Sequence, residues 1–160
     1  MSQYVSPNTD TEFIQRTLNI IAQYKRQESH LGTEYYDVTL LLNCLLGLVV
    51  LPRESKLDKF PDSEIPETIR PTLISAKDKS AKDIQIKFKE YIIGLRNGIV
   101  HFGKANSLSF KNENGQIAFI EITGETNRHK HILHYRFNLS FGNQLESVVR
   151  EVLKFISSDT

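Results

Sequence analysis

Three neighbouring polar residues, Arg96, Asn97 and His101, are the best candidates for chemistry in this sequence. Asn97 and His101 are four positions apart, so on a helix their side chains share one face. Arg96 then lies about 100° away from Asn97 around the helix. An imidazole gains and loses a proton near neutral pH, and a guanidinium keeps its charge and binds anions through several donors. The spacing therefore brings a titrating group, an amide and an anion-binding group together.

Composition alone accounts poorly for this triplet. The chain has eight Arg, five His and ten Asn residues, so an Arg followed five positions later by a His is expected about 0.25 times. Adding the Asn lowers that expectation to about 0.016. The structural alternative is that Arg96 and His101 bind free carbonyl groups at the end of a helix and interact favourably with its dipole.

Charge is distributed unevenly along a chain that is almost neutral overall. The 160 residues include 20 Lys and Arg against 19 Asp and Glu, which gives a net charge of +1. Residues 77–104 carry +4, whereas residues 34–67 carry −4. A basic segment that leads into the triplet is expected of a phosphate-binding region, although a solvated helix face has the same composition.

The first third of the chain is predicted to be helical after a flexible tail at residues 1–8. Thr9 and Glu12 have the spacing of a capping box, which begins a first amphipathic helix. Residues 33–51 are predicted to form a second helix whose apolar residues lie on nearly all of its sides, which is typical of a central position. Cys44 in this helix is interpreted as buried and inert.

The pattern changes twice in the rest of the chain. Four prolines indicate a long loop over residues 52–80, with at most one short helix near residues 67–74. The region 105–140 has β-branched and aromatic residues in partial alternation, and Asn114-Gly115 is a tight-turn signal within it. We therefore expect a three-stranded antiparallel meander, followed by a last helix that begins near Asn143.

A third helix, from about Ser80 to Phe102, is predicted to carry the triplet. Ile86, Ile93 and Val100 form a second apolar stripe on it at intervals of seven. Two stripes need two surfaces to cover them, which are either two neighbours in one bundle or the core and a partner subunit. The main stripe comprises Ile84, Phe88, Tyr91, Leu95, Ile99 and Phe102.

Several classes of site are disfavoured by the sequence. Cys44 is the single cysteine, which excludes an internal disulfide framework and a multi-cysteine zinc site. His129, His131 and His134 have no carboxylate or cysteine close in sequence, so we interpret them as surface or hydrogen-bonded strand residues. A Gly-rich phosphate loop is absent from the sequence. We expect no metal and no cofactor.

The sequence predicts a cytoplasmic protein that does not enter a membrane. Its N-terminus lacks a basic start and an apolar core, so no secretory signal is expected. The apolar segment at residues 38–51 is shorter than the roughly 18 to 20 residues that cross a bilayer. That segment also contains Asn43, whose role the sequence leaves open, and it ends at Pro52.

The triplet Arg96-Asn97-x3-His101, at the end of an amphipathic helix, resembles the motif of HEPN domains. The segment from Tyr35 to Asn43, continued through Leu51-Pro52, is similar to the second helix of a small plasmid- and defence-associated HEPN subgroup. A β excursion between the motif helix and the last helix also suits that subgroup.

The resemblance implies a mainly α fold in one domain over residues 1–160. The expected architecture is a HEPN-like antiparallel helical bundle with an antiparallel β-meander inserted before the last helix. It also implies a homodimer through the motif helix, because HEPN nucleases pair their motifs in one composite cleft. The stripe of Ile86, Ile93 and Val100 would form part of that interface, where Gly94 and Gly98 would allow close helix approach.

The resemblance further implies a metal-independent endoribonuclease. His101 would act as general acid or base on the RNA 2′-hydroxyl or the leaving 5′-oxygen. Arg96 would bind the scissile phosphate, and Asn97 would orient His101 or the phosphate. The product would be a 2′,3′-cyclic phosphate. The basic side chains expected to bind the RNA are Lys87, Lys89 and Lys104.

An alternative keeps the fold without the reaction, because HEPN domains also serve as non-catalytic modules that bind RNA or a partner protein. The subgroup points to a bacterial toxin or antiphage-defence role, in which an antitoxin or regulatory protein would be a further partner.

Overall fold

A computed structural model of the protein describes residues 60–101, 106–138 and 144–157, together with single positions between 12 and 26. These single positions are helical, as predicted for the first helix. The tail at 1–8, the second predicted helix at 33–51 with Asn43 and Cys44, loop residues 52–59, and Lys104 lie outside the described residues.

The centre of the described structure is a four-stranded antiparallel sheet. Its strand order is β1-β4-β3-β2, so the last three strands form the meander that was predicted for this region. Asn114 and Gly115 have φ angles of 52° and 80° and join β2 to β3 in a tight turn, because both residue types tolerate this left-handed backbone. The strands are β1 (Leu73–Lys77), β2 (Ser107–Glu113), β3 (Gln116–Glu125) and β4 (Ile132–Asn138).

Two α-helices, α1 (Phe88–Val100) and α2 (Gln144–Ser157), pack against this sheet in the described part of the chain. α2 begins one residue after the predicted start. The Phe155 ring of α2 lies 5.1 Å from the Phe88 ring of α1. The inward residues of β3, β4 and α2 are almost completely buried and form the core with α1: Ile120, Ile122, Leu133, Tyr135, Phe137, Leu145, Val148, Val149 and Val152.

α1 crosses β3 at unusually short distance because three glycines meet there. A Cβ atom added to Gly124 of β3 would lie 1.7 Å from the Gly94 carbonyl oxygen of α1. A Cβ atom added to Gly98 would lie 2.5 Å from Ile122 Cγ2 and 2.7 Å from the Thr123 carbonyl oxygen. Gly94 and Gly98 therefore allow α1 to approach its own sheet. The expectation that they serve a helix pair between two subunits is wrong.

The prediction of a mainly α bundle is also wrong. Among the described residues the four-stranded sheet is the largest element, and the two helices pack against it. β1 is a fourth strand, and it lies in the region predicted as a loop over 52–80. A 3₁₀ helix at Arg70–Thr72 precedes it. Leu73–Lys77 is only five residues long, and its pairing with β4 across the sheet is a non-local contact that local sequence patterns do not reveal.

The third predicted helix begins at Phe88 rather than Ser80. Asp78 accepts hydrogen bonds from the Ser80 and Lys82 amides at 2.8 and 3.0 Å, which fixes a turn. The chain then runs back beside β1, and the Ile84 amide donates to the Ala76 carbonyl at 3.0 Å. Ile86 therefore precedes the helix and is buried in the core, so the second apolar stripe predicted on this helix does not exist as a unit.

A buried chain of hydroxyl groups joins three elements behind α1. The Thr72 hydroxyl donates to the Ile69 carbonyl at 2.6 Å, so the Tyr91 hydroxyl must donate to Thr72, 2.7 Å away. The Tyr135 hydroxyl donates to the Tyr91 carbonyl at 2.7 Å. Burial raises the pKa of both tyrosines above the ordinary value.

In the described part of the chain, no helix has the length and apolar content needed to cross a bilayer.

Candidate nucleic-acid interface

Arg96 lies on the outer side of α1. Lys89, Ile93, Arg96 and Val100 recur at intervals of three and four, and all four are half-buried. We call these four residues the outer stripe. The glycines that contact β3 lie on the other side of the helix. The guanidinium of the predicted triplet therefore belongs to the side of α1 that faces away from the sheet.

His101 follows α1 rather than continuing it. Its amide donates to the Asn97 carbonyl at 2.9 Å, which closes the last turn, but its φ and ψ angles of −111° and 107° are extended. Asn97 and His101 therefore do not share a helical face, because the helix ends before His101. The His101 residue is exposed, which leaves its imidazole accessible to a ligand.

Asn97 is buried, with an exposed fraction of 3%. Its amide nitrogen donates to the Glu125 carbonyl at 2.7 Å and to Asn127 Oδ1 at 2.8 Å. Its Oδ1 atom has no hydrogen-bond partner among the described residues. The side chain thus ties the end of α1 to the segment that joins β3 to β4. The structure brings the triplet to one end of α1 and gives its three members different surroundings.

The β3–β4 turn, residues 126–131, is held by hydrogen bonds within itself. The Thr126 amide donates to the His131 carbonyl at 3.0 Å, and the Lys130 amide donates to the Thr126 carbonyl at 3.1 Å. The Thr126 hydroxyl accepts from the His131 amide at 3.0 Å. Lys130 has a φ angle of 56°. These bonds and the two from Asn97 hold the turn in one position against α1.

Two histidine rings are stacked on this turn. The rings of His129 and His131 have centroids 5.2 Å apart and planes inclined by 19°. His131 Nδ1 lies 2.9 Å from Glu90 Oε1 on α1, so the inner ring is fixed to the helix. His129 is exposed. The pair forms an aromatic surface whose outer member is open.

A groove of about 540 Å³ runs between α1 and the β3–β4 turn. Ile93 supplies apolar surface, and the charged residues include three cations and two carboxylates. We call it the α1–turn groove. Its lining residues are Asp62, Lys87, Lys89, Glu90, Ile93, Thr126, Asn127, Arg128 and His129.

The three lysines predicted to bind RNA have different positions. Lys89 lies on the outer stripe and lines the groove. Lys87 also lines the groove, but its ammonium group pairs with the Glu64 carboxylate. That hydrogen bond and the positive charge lower the pKa of Glu64. Lys104 lies outside the described residues.

The histidines do not build a metal centre within the described part of the chain, where no group of three or more His, Cys, Asp or Glu side chains has suitable geometry. His134 lies on the face of the sheet opposite α1, and its ring shares a hydrogen bond of 3.0 Å with the Thr123 hydroxyl. Arg136 on the same face pairs with Glu121 at 2.7 Å.

Sequence reasoning missed the contribution of the β3–β4 turn to the groove. The sequence predicts no role for Asn127 or Arg128, and it indicates only a surface or hydrogen-bonded strand position for His129. The available signal was the dense run of polar and aromatic groups from 127 to 131. Its proximity to α1 depends on the strand register and on the glycine contact, which single-sequence patterns do not give.

The comparisons with known proteins give one match. The family model described as HEPN pEK499 p136 matches residues 1–160. A search of curated proteins and a search of solved structures found no match.

Proposed function

Because the chain belongs to the HEPN pEK499 p136 family, we propose that it is a metal-independent endoribonuclease that cuts RNA with Arg96 and His101. Membership of the family is compatible with a nuclease or an RNA-binding module. The observation that carries the proposal is the exposed His101 directly after α1, five positions from an Arg96 on the outer stripe.

The reaction needs a base, an acid and a cation around one phosphodiester. One imidazole removes the proton of the 2′-hydroxyl, and the 2′-oxygen forms a bond to phosphorus. The bond from phosphorus to the 5′-oxygen breaks, and a second imidazole, in its protonated form, gives that oxygen a proton. Arg96 binds the non-bridging oxygens, on which negative charge increases. The products are a 2′,3′-cyclic phosphate and a 5′-hydroxyl, and the substrate supplies its own nucleophile.

The two imidazoles would come from two copies of the chain. One chain has a single Arg-Asn-x3-His sequence, so the complete cleft requires a homodimer through α1. The apolar members of the outer stripe, Ile93 and Val100, are half-buried beside Arg96 and supply surface for that contact. Asn97 acts as a positioning residue in this scheme, because its amide is occupied by the β3–β4 turn.

A non-catalytic RNA-binding module is the second candidate function. It is favoured by the basic groove, which has its own cations and requires no contribution from His101. A toxin or antiphage-defence role, with an antitoxin or regulatory protein as partner, is part of the proposal and rests on family analogy alone.

One assay separates the two functions. The purified protein is incubated with structured RNA in the presence of a chelator, and the fragment ends are analysed. We expect cyclic phosphate ends from the wild type, and a rate lower by about 100-fold or more for His101→Ala and for Arg96→Ala, because each removes a group that acts in the transition state.

Matched controls exist on the opposite face of the sheet. His134→Ala and Arg136→Ala remove the same residue types from positions away from α1, and we expect wild-type rates for both. If the wild type leaves the RNA intact, or if folded His101→Ala cuts at the control rate, the nuclease proposal is rejected and the binding module remains.

A further inference from the structure

We propose that the α1–turn groove binds one nucleotide of single-stranded RNA, with its base stacked on His129 and its phosphate held by Lys89 and Arg128. The proposal rests on the proposed function for the identity of the ligand as RNA. It adds a binding subsite that α1 and the β3–β4 turn form together, and neither Arg96 nor His101 is among its lining residues.

The stacked histidines provide the surface for the base. An exposed aromatic ring stacks on a nucleobase whatever the base is, because every base has a π face. His129 meets this need because its outer face is exposed and its inner face lies against His131. The bond from His131 to Glu90 fixes the inner ring, so the platform is formed before the ligand arrives and little ordering is needed on binding.

The charges of the groove favour a phosphate over a cation. Glu90 is occupied by His131 and by the Lys87 amide, 3.4 Å away, and Lys87 is paired with Glu64. Lys89 and Arg128 add two cations to the lining, and the other carboxylate, Asp62, is exposed. A guanidinium binds two phosphate oxygens at once, so Arg128 gives the stronger of the two contacts.

The shape of the groove suits one unstacked nucleotide. A volume of about 540 Å³ lies within the range of small-ligand sites. A base paired in a duplex keeps its faces against its neighbours and cannot stack on His129, so the site selects a single strand.

The test measures binding without cleavage. A fluorescent single-stranded oligonucleotide with 2′-O-methyl groups throughout has no free 2′-hydroxyl to attack phosphorus. Its affinity for the full chain is measured by anisotropy at several salt concentrations. We expect His129→Ala to weaken binding about 5-fold or more, and His129→Phe to bind close to the wild type, because stacking requires the ring and not its nitrogens. His134→Ala is the control and should bind like the wild type.

The phosphate contacts have a separate readout. The slope of log affinity against log salt should become shallower by about 0.7 for Arg128→Gln and for Lys89→Gln, since each removes one phosphate contact to a single strand. Lys130→Gln removes the same charge from the same turn, but Lys130 pairs with Glu125 outside the groove. We expect that variant to keep the wild-type slope.

The outcomes separate this proposal from the nuclease proposal. If the wild type fails to bind the oligonucleotide, if His129→Ala or the two cation variants bind like the wild type, or if His129→Phe binds as weakly as His129→Ala, the groove proposal is overturned, even when the RNA is cleaved. If the wild type cleaves nothing and the binding pattern holds, the nuclease proposal fails and the groove proposal stands.

Discussion

Asn97 connects the motif to the turn that borders the groove. Its amide nitrogen serves two acceptors, the Glu125 carbonyl and Asn127 Oδ1, while its own Oδ1 is buried without a partner in the described part of the chain. This position therefore requires a side chain that donates hydrogen bonds. A side chain of the same shape without the NH₂ group would place an acceptor against two acceptors.

We expect Asn97→Ala to lower the free energy of unfolding by about 2 kcal/mol, since two buried hydrogen bonds are lost. Asn97→Asp should be the more destabilising of the two near neutral pH, because a buried carboxylate would face the same two oxygens without a donor. Denaturant unfolding measures both effects. The exposed Asn112→Ala serves as control and should change little. An Asn97→Asp variant as stable as the wild type would contradict this assignment of the amide.

The residue-level prediction from sequence was right about where the triplet lies and incomplete about its neighbours. The apolar spacing around Arg96 is sufficient to predict that the triplet lies at the end of a helix. The extended backbone at His101 and the burial of Asn97 under the turn are tertiary results. Helical geometry predicted a shared face, whereas packing against Glu125 and Asn127 gives Asn97 a different environment.

At the scale of elements, the contact between α1 and β3 depends on the absence of side chains. We expect Gly124→Ala to lower the free energy of unfolding by about 3 kcal/mol or more, because the added carbon overlaps the Gly94 carbonyl and the helix must move away from the sheet. Thermal unfolding measures the loss.

Gly115→Ala is the matched control for this effect. Gly115 has a φ angle of 80° and open space around the added carbon, so its cost is about 1 to 2 kcal/mol of backbone strain. If Gly124→Ala is no worse than Gly115→Ala, the close contact is not a determinant of stability.

Elements with a local sequence signal were predicted, whereas elements defined by long-range contacts were missed. The hairpin at Asn114-Gly115 and the last helix, α2, depend on local geometry, and both were predicted. Ile84, Ile86 and Phe88 alternate as a strand does, yet Ile84 and Phe88 also fit a helical stripe, so the start of α1 was placed too early. β1 acquires its identity from its pairing with β4, which has no local signal.

At the scale of the whole molecule, the buried hydroxyl chain makes stability sensitive to alkali. The pKa of Tyr91 and that of Tyr135 are raised by burial above the unfolded value of 10.0. Their stabilising contribution is therefore complete below pH 10.0 and is lost as the pH rises toward the folded pKa. The core should unfold as its phenols ionise.

Tyr91→Phe tests this expectation. At neutral pH it should lower the free energy of unfolding by about 1 kcal/mol, since the hydrogen bond to Thr72 is lost. Above pH 10.0 its stability should fall less steeply than that of the wild type, because one ionising group has been removed. Denaturant unfolding over a series of alkaline buffers measures both curves. Parallel curves would show that Tyr91 does not contribute to the alkaline loss.

The glycine crossing also has a mechanical consequence. With backbone resting directly on backbone at Gly94 and Gly124, no deformable layer of side chains separates helix from strand. We therefore expect α1 to move together with the sheet when the sheet bends, and Arg96 and His101 to move with it. In the proposed homodimer, the curvature of each sheet would then set the width of the cleft proposed to bind RNA.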